Sequence, residues 1–198
     1  PAFERLQPCN SKTGNPAAVK GLQTSKKFIS CNMPVPEKYL VDFEEAGIYH
    51  IYKRTNNNEK LFLTDENRLF FLKRYREILS PFIDTYCWCL IPNHFHLLIK
   101  IKSEKEIMNY LKNKPTAALT ITEKIFLQRI TNLSNIVNPE NTFSILIEQT
   151  FKRFFQSYAL AFNKQHHRKG NLFYRPFKRV SIKNDTHFTM AGIYIHAN

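Results

Sequence analysis

The stretch 83–102, IDTYCWCLIPNHFHLLIKIK, is rich in β-branched, aromatic and other apolar residues on both sides of Pro92 and Asn93, and this pattern predicts two β-strands joined by a tight turn. The first strand covers 83–90, Pro92 and Asn93 form the turn, and the second strand covers 95–102. Neighbouring side chains of a strand point to opposite faces, so His94 and His96 share one face. The other face is apolar and is expected to pack on the core: Phe95, Leu97, Ile99 and Ile101.

Similar patterns predict the remaining elements. A strand covers 47–54, and a helix covers 66–79 with Asp65 as its cap. The apolar stripe of this helix consists of Leu69, Leu72, Tyr75, Ile78 and Leu79. Further along the chain the expected elements are a helix from Ser103 to about 113, a helix over 120–132, a long helix over 142–163, a strand over 172–182 and a last helix from Asp185 to Asn198.

This order of elements predicts an α+β fold of the ferredoxin-like plait type. We expect a mostly antiparallel β-sheet with helices packed on one face. Residues 47–198 would form the main domain, and 103–142 would be a helical insertion on it. Residues 1–46 are interpreted as an amino-terminal arm, partly extended, with a short helix from Pro36 to Gly47.

Composition and charge narrow the function classes. The 198 residues suffice for one well-packed domain, and a hydrophobic fraction of 43% excludes a disordered chain. The net charge of +13 favours a polyanionic partner, of which nucleic acid is the commonest. No run of 18 apolar residues indicates a membrane span. The four cysteines lack the spacing of a disulfide framework, which predicts a reduced, cytoplasmic compartment.

The histidine pair is the first candidate site. His94 and His96 are separated by roughly 6–7 Å at Cα in a strand, which suits two ligands of one divalent metal ion. The alternative is two histidines on a half-exposed strand. Cys87 and Cys89 on the preceding strand also allow a zinc site, although structural zinc sites more often use longer cysteine spacings.

The last helix carries the second candidate group. Tyr194 and Asn198 are four residues apart and therefore lie on one helix face. A phenol can attack an electrophile that a metal polarises, and an amide oxygen can complete a metal shell. The alternative is a tyrosine at the core edge and an asparagine at the helix end. Tyr158 is the rival nucleophile, but its place in a Phe-rich helix favours core packing.

Residues 151–183 contain nine Lys or Arg and no Asp or Glu, with aromatic residues between the charges. This composition is typical of a groove that follows phosphates and stacks bases, whereas most charged runs are only solvated surface. The candidate DNA-binding residues are Lys152, Arg153, Arg168, Lys169, Arg175, Lys178 and Arg179.

The run CLIPNHFHLL over 89–98 resembles the HUH motif of single-tyrosine transposases, especially those associated with repetitive extragenic palindromes (REP). Further stretches follow in that family's order: 49–54, 163–179, and Tyr194 to His196 followed by Asn198. The resemblance covers about 47–102 and 143–198. It implies that His94, His96 and Asn198 bind Mg²⁺ or Mn²⁺ and that Tyr194 is the nucleophile.

By this resemblance the protein would be a transposase that cleaves and rejoins single-stranded or hairpin DNA through a covalent 5′-phosphotyrosine. Either a monomer or a homodimer fits the resemblance. One alternative is a non-catalytic DNA- or RNA-binding module on the same fold. A weaker alternative is a zinc-dependent hydrolase that uses Cys87, Cys89, His94 and His96.

Overall fold

The computed structural model describes residues 41–131, 142–174 and 176–198. Most of the predicted amino-terminal arm and part of the insertion lie outside these ranges. The predicted short helix from Pro36 is not formed over 41–47, where the chain has one turn and otherwise no regular secondary structure. The rest of that predicted helix, 36–40, lies outside the described residues.

The helices and strands follow the predicted order closely. The strands are β1 (Ile48–Arg54), β2 (Ile83–Ile91), β3 (His94–Ile101) and β4 (Lys178–Ile182). The helices are α1 (Asp65–Ile78), α2 (Glu104–Lys112), α3 (Ile121–Thr131), α4 (Thr142–Gln165) and α5 (Asp185–Ala197). Within the described ranges, no helix has the length and apolar character needed to cross a lipid bilayer.

Among the described residues, four strands form one antiparallel sheet in the order β2-β3-β1-β4. With α1 between β1 and β2, and α4 between β3 and β4, this is the connectivity of a ferredoxin-like plait. Helices α2 and α3 precede α4 and form the described part of the insertion. The predicted α+β class with an antiparallel sheet is therefore confirmed.

One face of the sheet, which we call the core face, packs against α1 and α4. It carries Tyr49, Ile51, Phe95 and the remaining odd-numbered apolar residues of β3. Helix α1 begins after Thr64, whose side chain accepts a hydrogen bond from the Asn67 N–H. Its buried stripe contains Phe71 where the sequence pattern predicted Leu69, which is 66% exposed.

Helix α5 lies on the opposite face of the sheet, whereas the sequence predicted all helices on one face. This second face has its own small apolar cluster, in which Ile195 of α5 is fully buried. The other buried members are Cys89, Leu98, Ile182 and Ala191. Because strand side chains alternate, this face also carries the histidines of β1 and β3, and we call it the histidine face.

The predicted strand over 172–182 forms only between Lys178 and Ile182. Phe173 makes one isolated bridge with Thr55, and Pro176 separates that bridge from β4. Proline has no backbone N–H to donate to a strand ladder, which explains the shorter strand.

Candidate active site

The turn between β2 and β3 is tied to the chain that follows β1. The N–H of Leu61 donates to the carbonyl oxygen of Pro92 at 2.5 Å, and the N–H of Thr55 donates to that of Asn93 at 3.0 Å. This predicted Pro92-Asn93 turn is thereby fixed from outside the hairpin. The turn places His94 and His96 at the start of β3, a central strand whose backbone is hydrogen-bonded to β2 on one side and to β1 on the other.

The protonation of His94 follows from its neighbours. Its Nδ1 lies 2.7 Å from Oδ1 of Asn93, and the amide nitrogen of Asn93 donates to Asn58. With the amide oriented in this way, Oδ1 is an acceptor and Nδ1 of His94 carries the proton. The Nε2 atom of His94 then keeps its lone pair. Burial and the charge of Arg54 lower the pKa of His94, which favours this neutral form.

His96 is 4% exposed and lies against a third histidine. Its Nδ1 is 2.9 Å from Nε2 of His50, a residue of β1 on the same face. Its Nε2 is buried and has no hydrogen-bond partner among the described residues. Burial, followed by the neighbouring His50 and His94, lowers the pKa of His96 to about 3. Burial and the charge of His187 lower the pKa of His50 to about 4, so both rings are neutral at pH 7.

Helix α5 places Tyr194 over this histidine cluster. The Tyr194 ring meets the His96 ring edge-on with centroids 5.4 Å apart, and the His50 ring at 6.0 Å. The anchor of this arrangement is Ile195, which is buried in the apolar cluster of the histidine face. Tyr194 itself is 52% exposed. The structure therefore brings Tyr194 next to His96 of the predicted pair and leaves the tyrosine ring accessible.

Asn198 follows the last turn of α5, four residues after Tyr194. Its Nδ2 donates to the carbonyl oxygen of Tyr194 at 2.7 Å, so its side chain caps the helix end. The amide oxygen is not used in that hydrogen bond. Metal ligation by Asn198 stays a prediction.

The rival candidates have structural roles. A β-bulge between Thr85 and Cys87 turns Cys87 and Cys89 to the histidine face, where both belong to the apolar cluster under α5. Tyr158 is 1% exposed, packs in the core, and donates to the carbonyl oxygen of Leu61 at 2.8 Å. Burial raises the pKa of the Tyr158 phenol, which disfavours ionisation.

The donor atoms of His94 and His96 suit a divalent metal ion. Both rings are neutral, as metal binding requires, and each has its Nδ1 in a hydrogen bond that orients the ring. Among the described residues, no group of three or more His, Cys, Asp or Glu is arranged to hold a metal ion. A site built on His94 and His96 therefore needs an oxygen ligand of another kind, such as the Asn198 amide or a substrate phosphate.

Arg179 does not fit the predicted role of a DNA contact. It is 4% exposed, and its guanidinium donates to Glu148 and to the carbonyl oxygen of Val41. It also lies 4.7 Å from the ring centroid of Phe43. Arg168 is engaged in a similar way, with two hydrogen bonds to the carboxylate of Glu59. Both arginines tie loops to the domain.

The other predicted DNA-binding residues are divided between the faces of the sheet. Lys152 and Arg153 belong to α4 on the core face and form ion pairs with Glu148 and Glu123. Lys169 is exposed in the turn after α4, and Arg175 lies outside the described residues. Lys178 is on the histidine face. The acid-free run is thus not one continuous groove.

The structure adds residues beside the histidines that the sequence did not single out. Tyr52 lies between His96 and Lys178. The ring centroids of Tyr52 and His96 are 5.6 Å apart, and Nζ of Lys178 is 5.7 Å from the Tyr52 ring centroid. Arg54 is exposed, and its guanidinium lies 5.0 Å from the ring centroid of Tyr174. The alternation of 48–54 was the available signal, because it places His50, Tyr52 and Arg54 on one face.

No family model and no curated protein matches the sequence. The solved structures that are similar to this chain include two proteins. One is a REP-associated tyrosine transposase bound to a REP hairpin, 15% identical with a TM-score of 0.44; the match covers 77% of this chain and 66% of that chain. The other is a candidate transposase from Deinococcus radiodurans, 16% identical with a TM-score of 0.35; the match covers 82% of this chain and 95% of that chain. Likeness at this level says nothing of activity.

Proposed function

We propose that this protein is a metal-dependent transposase-type enzyme that cleaves and rejoins single-stranded or hairpin DNA through Tyr194. One observation carries the proposal. An accessible tyrosine ring lies 5.4 Å from the ring of a buried histidine whose Nε2 has no partner among the described residues. The resemblance of 89–98 to the HUH motif, together with that of Tyr194 to Asn198 to the family's terminal stretch, implies a metal site at the histidines and a nucleophile at Tyr194.

In the cleavage step, Oη of Tyr194 forms a bond to the phosphorus of the scissile phosphodiester. The bond from phosphorus to the 3′ oxygen breaks, its electron pair stays on that oxygen, and the oxygen takes up a proton. The phenol proton is released to solvent. The 5′ phosphate is then esterified to Tyr194, and an incoming 3′ hydroxyl reverses the step without ATP.

His94 and His96, with Asn198 as a third ligand, would hold Mg²⁺ or Mn²⁺ beside the tyrosine. A tyrosine with a pKa of about 10 is a poor nucleophile at neutral pH. The bound ion would polarise the phosphate and offset the charge that develops on its oxygens. The protein would fix the geometry of the two histidine ligands, because both residues lie on a central strand and the Nδ1 atom of each is within hydrogen-bond distance of a neighbour.

We propose that the DNA strand reaches Tyr194 along Arg54, Tyr174 and Lys178. These residues combine two cations with an aromatic ring beside the histidine cluster, which is the composition of a single-strand binding path. The net charge of +13 supports DNA as the partner through phosphate contacts.

The test is covalent capture of DNA. Incubation with a hairpin oligonucleotide that carries a single-stranded flank, in the presence of Mn²⁺, should give a protein–DNA adduct that resists denaturation. The adduct should require both Tyr194 and His94. Binding of the same oligonucleotide with no adduct would instead support a non-catalytic DNA-binding module.

A further inference from the structure

His50 is a third histidine of the cluster for which the proposed reaction has no role. It lies on β1, diagonal to His96 across the β1–β3 pair, and its Nε2 is 2.9 Å from Nδ1 of His96. Both strands are central in the sheet, so the backbone of each is hydrogen-bonded on either side. The register of the two strands therefore places the two rings next to each other.

A hydrogen bond between two neutral imidazoles has a direction, and only one of the two nitrogens carries the proton. If His50 donated, the proton of His96 would sit on Nε2, and a buried N–H would have no acceptor among the described residues. If His50 accepts, Nε2 of His96 keeps a lone pair instead. This second arrangement matches His94, whose Nδ1 donates to Asn93.

We propose that His50 is a positioning residue: its Nε2 accepts the Nδ1–H of His96 and holds that ring in the tautomer whose buried Nε2 can bind a cation. The inference rests on the proposed function only in taking a divalent metal ion as the species bound. Hydrogen-bond partners of metal-binding histidines typically change metal affinity by about 10- to 100-fold.

The test is direct observation of the tautomer in the metal-free protein. Long-range ¹H–¹⁵N NMR spectra of the ¹⁵N-histidine-labelled full chain, assigned with a His96→Gln variant, report which ring nitrogen carries the proton. The expected result is a proton on Nδ1 of His96. A proton on Nε2 in the wild-type protein overturns the proposal without any variant.

Two variants separate hydrogen bonding from ring packing. His50→Phe keeps a ring and removes the acceptor, so the His96 tautomer should change and Mn²⁺ binding, measured by electron paramagnetic resonance without DNA, should weaken by about 10- to 100-fold. His50→Gln restores an acceptor and should stay near wild type in both measurements. His187→Gln is the control, because it alters a neighbour of His50 and leaves the hydrogen bond in place.

An unchanged tautomer and unchanged Mn²⁺ affinity in His50→Phe would overturn the proposal. The test of the His50 role can fail or succeed independently of the test of the proposed function. A wild-type protein that forms no DNA adduct but carries the His96 proton on Nδ1 would contradict the reaction and support the role of His50. A wild-type protein that forms the DNA adduct but carries the His96 proton on Nε2 would support the reaction and contradict the role of His50.

Discussion

The ring of Tyr194 on α5 meets the ring of His96 on β3 edge-on, with an interplanar angle of 88° and centroids 5.4 Å apart. These residues are almost 100 positions apart in the sequence. They meet because Ile195 and Ala191 bury one side of α5 against the apolar part of the histidine face. Tyr194, which precedes Ile195, then lies at the edge of that contact, next to His96 and His50.

His94→Ala should abolish cleavage while leaving DNA binding largely intact. The side chain is only half-buried, so we expect the free energy of unfolding to change by no more than about 1 kcal/mol. Loss of a metal ligand should lower the cleavage rate by at least about 100-fold, since the effect should exceed that of removing a ligand's hydrogen-bond partner. Gel assays of cleavage and fluorescence anisotropy of DNA binding check the two parts. Cleavage at the wild-type rate would rule out His94 as a ligand.

Replacing Arg54 and Lys178 by Gln should weaken DNA binding and flatten its salt dependence. Removing one cation that neutralises a phosphate lowers the log–log salt slope by roughly one unit. The measurement is the dissociation constant of a single-stranded oligonucleotide between low and moderate salt. Lys105→Gln, at an exposed position of α2, is the matched control and should leave the slope unchanged. Equal slopes in the double variant and the wild type would place the DNA elsewhere.

Arg179→Met should destabilise the fold and have little direct effect on DNA affinity. The change leaves Glu148 and the carbonyl oxygen of Val41 without their buried donor. Because Glu148 keeps its pair with Lys152 and is partly exposed, we expect a loss of about 2 kcal/mol. Urea unfolding measures it. Lys152→Met, at the exposed partner, should cost no more than about 1 kcal/mol. A stable Arg179→Met protein with a reduced salt slope would restore Arg179 to the DNA contacts.

The insertion should give the protein an acid-sensitive step in stability through Glu123. Its side chain is 1% exposed and accepts hydrogen bonds from Lys114 and the Thr120 N–H. Burial acts to raise the pKa of Glu123, but these hydrogen bonds and the charges of Arg153 and Lys114 lower it overall.

A lowered pKa in the folded protein means that the stabilisation is complete above the unfolded value of about 4.3 and is lost as pH falls through the folded value. The wild type should therefore exceed Glu123→Gln in stability at pH 7, and the difference should shrink below about pH 4. Urea unfolding of both proteins from pH 7 to pH 3 measures it. A difference that is constant over this range would show that the Glu123 charge contributes nothing.

Strand periodicity predicted the histidine pair and its face, because a period of two leaves one assignment for β3 once Phe95 and Leu97 are taken as core. The same logic applied to β1 would have added His50 and Arg54. The single groove expected from the acid-free run 151–183 was inferred from charge, and charge alone does not say on which face a side chain lies. Arg179 shows this, because it turns to the core face of β4 and pairs with Glu148.

The position of α5 was not predictable from sequence. Its apolar residues lie around most of the helix, and both Ile193 and Met190 are largely exposed. What decides its position is the small cluster around Ile195, which depends on Leu98 and Cys89 from other strands. The bulge after Thr85, which turns Cys89 toward that cluster, also has no clear signature in the alternation of β2.

The most direct measurement compares adduct formation by Tyr194→Phe and Tyr158→Phe on a hairpin oligonucleotide with Mn²⁺. Each change removes one oxygen and keeps the ring, and Tyr158→Phe should cost about 1 kcal/mol because its hydrogen bond to Leu61 is removed. Tyr194→Phe should fold, bind DNA and form no adduct, whereas Tyr158→Phe should form it at nearly the wild-type yield. An adduct with Tyr194→Phe would contradict Tyr194 as the nucleophile, and its absence only in Tyr158→Phe would move the chemistry to α4.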